Sequence, residues 1–330
     1  AFIAKSVYNM QTTRDLIDRL HIDRTLRVLC GWRYSNDIPS EAKFSRVFKE
    51  FSEMNLAAKT HDKFISEYLS DIIFYYNASD ATKIPLREKA VKQEKPEPKV
   101  KYKPGRPKKG ENREPIKPKI LQQQKEMKTT KEMLSLVSTE CGVGIKQNSK
   151  GNREVWITKE SSLKRPLFAT FGGKLHISAV DGDIPITAIY SGANVHDSSV
   201  ALPLIQETSK KVNYLFDLQD AGYDADIIRE FSQKYGHRPI IDINPKNSQE
   251  LRDKIELIEH EDKAFKYINQ HHNLDKEHYN QRSMVERVNK YLKDDFGCDK
   301  IYYQGANKVA SVLAFGILSI CIHQSLKMIT

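Results

Sequence analysis

Cysteine is scarce: Cys30, Cys141, Cys298 and Cys321 are the only four in 330 residues, and no two form a C-x-x-C pair. Neither a zinc cluster nor a disulfide framework follows from that spacing, and a reducing compartment is the simpler expectation. Long apolar runs are missing too. The longest, around 312–322, is interrupted by Ser319 and reads as too short and too polar to span a bilayer. No N-terminal stretch joins a basic segment to an apolar one, so secretion is not expected. Several catalytic signatures are absent as well. Gly172-Gly173 is not followed by G-K-[ST], so it is no phosphate loop, and no G-x-S-x-G elbow makes Asp197-Ser198 part of a hydrolase. His271, His272 and His278 lack the H-E-x-x-H spacing of a zinc enzyme.

Acidic residues are sparse in one place. Between positions 83 and 131, 17 Lys and Arg face 6 Glu and no Asp, so this segment carries +11 while the whole chain carries +10. Seven of the 13 prolines lie there as well. Such a stretch buries too little apolar surface to offset its ordering entropy, so 85–140 is expected to be a basic, disordered linker or insertion. A flexible polycation suits nucleic acid as a partner, or serves as a solubilising spacer.

The apolar periodicity predicts short amphipathic helices over 13–63, with Ser40 as an N-cap and Phe44, Val47, Phe48 and Phe51 on one face. Trp32 and Phe44 read as core. The pattern is already helical at Ala1, so 1–70 is expected to be a small helical domain cut at its start. Residues 72–80 read as a strand ending at Asp80, the first strand (71–84) of a second unit that resumes over 141–330. Strands are predicted over 174–180 and 184–190, joined by the turn Asp181-Gly182-Asp183, and over 213–218 and 239–243. Helices are predicted over 197–209, capped by Asp197 or Ser198, over 225–235, and from about 278 to 295. This order defines an α/β class with a partly parallel, mixed sheet. Ligand chemistry in such sheets gathers at the carboxyl ends of strands, where Asp80 and Asp220 are expected.

Tyr279, Arg282, Glu286 and Lys293 stand at offsets 0, 3, 7 and 14. On one continuous helix these fall within an arc of roughly 60°. A carboxylate flanked by cations can hold a divalent metal beside a phosphodiester, or can simply be a solvated face with an i,i+4 pair between Arg282 and Glu286. Three carboxylates on separate elements suit hard cations, and phosphoryl transfer commonly uses two such ions about 3.5–4 Å apart.

The pattern Tyr279-x2-Arg282-x3-Glu286-x6-Lys293 resembles the C-terminal signature of DDE transposases of bacterial insertion sequences, in the group around insertion sequence four. Asp217-Leu218-Gln219-Asp220-Ala221-Gly222-Tyr223-Asp224 resembles the second-aspartate motif of that family, and Asn77-Ala78-Ser79-Asp80-Ala81-Thr82-Lys83-Ile84 the first. Lys174-Leu175-His176, Ala193-Asn194-Val195-His196-Asp197-Ser198, Ile243-Asn244-Pro245-Lys246 and the leader Pro39-Ser40-Glu41-Ala42-Lys43-Phe44-Ser45 match further landmarks in order.

The resemblance implies a ribonuclease-H-like core with flanking helices and a metal-binding catalytic triad of Asp80, Asp220 and Glu286. It implies Mg²⁺, two ions with Mn²⁺ able to substitute, and strand cleavage by water followed by strand transfer from a 3′-hydroxyl. Arg282 and Lys293 would neutralise DNA phosphates, and Tyr279 would position the backbone. Asp217 and Asp224, the rivals of Asp220, are expected to be structural, as are His176 and His196. Gly105-Arg106-Pro107 with Lys108 and Lys109 resembles half of a minor-groove arginine hook, so these three basic residues are expected DNA contacts. The implied partners are double-stranded DNA, as element ends and target, and a second copy in a synaptic dimer; the implied place is the bacterial cytoplasm, at the nucleoid, without a membrane. A truncated, non-catalytic DNA-binding remnant or regulator of transposition is the other reading.

Overall fold

The computed structural model describes residues 1–91, 119–147, 153–155, 171–244 and 274–329. The amphipathic leader forms α1 (Phe2–Val7), α2 (Thr13–Ile22), α3 (Arg24–Leu29), α4 (Glu41–Glu53) and α5 (Leu56–Tyr68). α2 begins at a capping box in which Thr12 and Asp15 each accept the other's backbone N–H, satisfying donors that the first turn leaves unpaired. α4 begins after Ser40, whose side chain makes no cap bond. Phe44 and Phe48 are buried on its inner face, and Trp32 stands edge-on to Phe44 at 5.6 Å between centroids.

The apolar, β-branched run after α5 forms β1 (Ile73–Pro85). The expected linker contains more structure than its composition suggests. Residues 119–135 fold into α6 (Ile120–Glu126) and α7 (Thr130–Ser135), and Met133 is fully buried among Leu202, Ile205 and Ile228. A few apolar side chains and the Thr129–Glu132 capping box suffice to order this end. Arg106, Lys108 and Lys109 lie outside the described residues.

Strands β2 (Gly142–Val143), β3 (Ile145–Gln147), β4 (Arg153–Val155), β5 (Phe171–Val180) and β6 (Ile184–Gly192) follow. β5 and β6 form the expected hairpin, whose turn uses left-handed backbone at Gly182 and Asp183, φ +79° and +60°. A 3₁₀ turn (Asp197–Val200) leads into α8 (Ala201–Lys211); then come β7 (Asn213–Gln219), α9 (Asp226–Lys234) and β8 (Arg238–Ile241). The last helices are α10 (Leu274–Asn280), α11 (Ser283–Asp294) and α12 (Ala306–Ile329).

β1 is the centre of a six-stranded mixed sheet. It runs antiparallel to β5, which pairs with both β6 and β2, and parallel to β7, which pairs with β8. Alternation along β1 divides the sheet's two faces. The face bearing Asn77, Ser79, Ser178 and Asp217 is buried and polar: Asn77 donates to Asp217 at 3.0 Å, and Ser232 of α9 donates to the other Asp217 oxygen at 2.8 Å. The opposite face, bearing Ala78 and Asp80, meets α11.

α12 runs to 24 residues, well past the apolar run at its centre, and by length and composition alone it could cross a membrane. Its surroundings decide otherwise: 72% of the apolar window is buried, against α1, α4, α5 and β6, with Phe315 packed on Phe2 and Phe48. It is a core helix of this fold.

Candidate active site

The parallel register of β1 and β7 ends at Ser79 opposite Gln219, so Asp80 and Asp220 come next on neighbouring chain segments where the two strands part, close enough for the charge of Asp220 to act on Asp80. Asp80 is not at the end of its strand. β1 continues five residues further because its antiparallel partner β5 extends to Gly172 opposite Pro85, although β7 has stopped. The Asp220 carboxylate accepts the Gly222 N–H at 2.9 Å and starts the 3₁₀ turn Ala221–Tyr223.

Both carboxyl groups hold their protons more tightly than in water. Burial is the first cause for each. Asp80 is pushed up to about 6, with repulsion from Asp220 and Asp197 adding to burial and with the Ala81 N–H and Arg282 opposing it. Asp220 is raised against the pull of Gly222 and Arg282, with Asp197 and Asp242 adding to the rise.

α11 crosses this face. Asn289, 8% exposed, donates its Nδ2 to Asp80 Oδ2 at 3.0 Å and ties the helix to the strand. Lys293 one turn on is half-buried; burial lowers its pKa, while Asp80 is among the carboxylates that pull the other way. Glu286 is about half exposed and is held by Arg282 at 2.5 Å. The single continuous helix expected over 278–295 is broken: Gln281 and Arg282 form a turn between α10 and α11, so Tyr279 lies on a different helix from Glu286. Tyr279 still reaches the site, with the Arg282 guanidinium 5.7 Å from its ring centroid and Asp220 and Asp242 in electrostatic range. Arg282 therefore acts on Tyr279, Glu286 and Asp80 together.

The rivals of Asp220 are engaged elsewhere. Asp217 is fully buried under Asn77 and Ser232, and Asp224 pairs with Arg229 at 2.7 Å and accepts the Asn244 N–H at 2.8 Å. The expected cap at Asp197 or Ser198 is replaced by His196, whose Nδ1 accepts the Ser198 N–H, because Asp197 is turned toward Lys174 at 2.8 Å. His176 is fully buried beside Ser191 at 2.8 Å, and burial pulls its pKa down to about 4.

Among the described residues, no three His, Cys, Asp or Glu side chains stand close enough together to hold a cation. The donor set nevertheless fits a hard divalent ion. It is made of oxygens, and two buried oxygens beside it have no hydrogen-bond partner among the described residues: Asn289 Oδ1, and the hydroxyl of Tyr223, which lies within range of Asp197, Asp80 and Asp220. Asn289, Tyr223 and Asp197 carry no ligand pattern of their own in the sequence; for Asn289 the available signal is its place three residues after Glu286, on the same helix face.

Fold and site define an α/β protein with an acidic centre where its central parallel strands diverge, overlaid by a helix with a mixed acidic and basic face. Residues 150–322, just over half of the chain, match the transposase DDE domain, and the chain belongs to that family. No curated protein and no solved structure matches it. Asp80 lies before the matched span, so its part in the site rests on the nearby charge of Asp220 and its bond to Asn289.

Proposed function

We propose that this chain is a metal-dependent DDE transposase of a bacterial insertion sequence, in the group around insertion sequence four, which cuts DNA strands at its element's ends and joins them to target DNA. One observation carries the reading: Asp80 and Asp220 lie within electrostatic range of each other just past the last β1–β7 pair, beneath a helix bearing Glu286, Asn289 and Lys293 on one face. The strand order, three antiparallel strands continued by two parallel ones, supports a ribonuclease-H-like core.

Asp80, Asp220 and Glu286 would hold Mg²⁺, with Mn²⁺ as a substitute. When bound, such ions supply Lewis-acid polarisation of the phosphodiester and neutralise its charge. The chain's own residues position the strand. Lys293 and Arg282 set fixed positive charge beside the carboxylates, where a backbone phosphate would lie, and Tyr279 offers a phenol and a ring edge to the sugar-phosphate chain. Arg282 must release Glu286 for the third carboxylate to turn inward; a phosphate supplies the replacement anion. Arg106, Lys108 and Lys109 would add contacts outside the core. Element ends and target would be the duplex partners, two copies would pair the ends, and the work would be done in the cytoplasm.

A second reading, a DNA-binding regulator that occupies ends without cutting, is favoured by the Arg282–Glu286 pair and the lack of a three-carboxylate cluster among the described residues. Nicking of a duplex carrying the element's own end, with Mg²⁺ or Mn²⁺, separates the two. Nicking by the chain that is lost in Asp80→Asn and in Glu286→Gln supports the transposase. No nicking by any of them, with salt-sensitive binding retained, replaces it with the regulator.

A further inference from the structure

Asn289 is a polar residue in the middle of α11, 8% exposed, with its two amide ends in different circumstances. The Nδ2 end donates to Asp80 Oδ2 at 3.0 Å, and the Oδ1 end is buried with no partner among the described residues. A buried amide oxygen without a donor costs about 1–3 kcal/mol, so an occupant that satisfies it is worth seeking. Apolar neighbours on the same helix, Val285, Val288 and Leu292, supply none. The group that the other end grips is a carboxylate, and the amide oxygen is a ligand type that Mg²⁺ and Mn²⁺ accept.

Resting on the metal-dependent reading above, we propose that Asn289 belongs to the cation site: it fixes Asp80 through Nδ2 and turns Oδ1 toward the divalent ion that Asp80 and Asp220 hold. Without DNA, Asn289 then supplies the inward-facing oxygen on α11 that Glu286, while tied to Arg282, does not. It also makes the position of α11 over β1 a condition of metal affinity. Gln at this position would overreach, and Leu would match the volume while offering neither end.

The test is Mn²⁺ affinity of the full chain without DNA, read by electron paramagnetic resonance, for the chain, Asn289→Leu and Asp80→Asn. Asn289→Leu is expected to weaken Mn²⁺ by about tenfold or more, as removal of a residue that orients a ligand does. Asp80→Asn is the control on the underlying reading: Mn²⁺ binding indifferent to Asp80 would remove the metal site itself, whereas binding that needs Asp80 but ignores Asn289 would overturn this inference alone. A pure clamp on Asp80 would also weaken Mn²⁺, so a second variant reads proximity. Asn289→Cys with Cd²⁺ is expected to give an ultraviolet thiolate-to-cadmium band above any due to the chain's own four free cysteines, and that increment is expected to be lost when Asp80→Asn is added. Tight Cd²⁺ binding with no increment of that band over the unsubstituted chain would reduce Asn289 to a clamp and sink the assignment of Oδ1. Should Asn289→Leu fail to fold, the Cys variant decides alone.

Discussion

A carboxyl group shielded from water beside another carboxylate favours its neutral form, and Asp80 sits at about 6 for that reason. The native chain therefore binds more protons than the unfolded one between the ordinary value of 3.8 and 6, and stability from this group falls as pH rises through that window. Asp80→Asn is expected to raise the Tm by a few degrees at pH 7.5 in metal-free buffer and to change little at pH 4. Equal melting at both pH values would show that Asp80 bears no such burden. His61 works in the opposite direction. Burial lowers it to about 4, and its Nε2 meets the Pro185 carbonyl at 3.0 Å, so it is held neutral. The unfolded chain takes up the proton first, so the histidine's stability contribution is complete above 6.5 and is lost as pH falls toward 4. His61→Gln, which can still donate to Pro185, is expected to flatten the acid limb of a Tm-against-pH curve between those values. At this scale Asp80 and Asp220 were readable as carboxylates near strand ends and Arg282 and Lys293 by their helical spacing, and the structure brings the other three within electrostatic range of Asp80. Asn289 was not, since a mid-helix asparagine reads as a weak helix former until its partner across 209 residues is seen.

Elements were legible where periodicity alone decides and less so where a partner decides. The β5–β6 hairpin was readable from alternation and its Asp-Gly-Asp turn. The extension of β1 beyond Asp80 is set by the length of β5, which no local pattern reports. The break between α10 and α11 falls within a run whose spacing suits one helix; the turn at Gln281–Arg282 instead lets Arg282 face Tyr279 and Glu286 at once. Packing between α11 and α12 supplies a further case. Gly316 of α12 is buried where an added Cβ would lie 2.8 Å from both Leu292 Cδ1 and Cys298 Sγ. Gly316→Ala sets a helix-propensity gain of about 1 kcal/mol against that overlap. Gly316→Val adds two more carbons where none fits and is expected to destabilise by about 1–3 kcal/mol, measured as a lower urea midpoint at unchanged m. Loss of Mn²⁺ affinity should accompany it if α11 shifts away from Asp80.

For the molecule as a whole, charge is segregated. Positions 92–118 hold 10 Lys and Arg against 4 Glu, while the site's own cations are few. Deleting 92–118 is expected to lower the slope of log K against log[salt] for duplex binding by several units, with the melting transition of the rest unchanged; an unaltered slope would assign phosphate binding to the folded surface instead. The α/β class was legible from the alternation of elements, whereas the folding of 119–135 onto α8 and α9 was masked by a lysine-rich composition typical of linkers. The central position of β1 has a consequence for how the chain reaches this state. Its bonds to β5 and β7 span 101 and 140 residues, from Asn77 to Ser178 and to Asp217. A ribosome delivers β1 first and its last neighbour long afterwards, so Phe74, Ala78 and Ile84 wait without a sheet to enter. Assembly of the sheet is a non-local event that waits for the strands after β1 to emerge, and the interval before it is when this chain is most exposed to mispairing and aggregation.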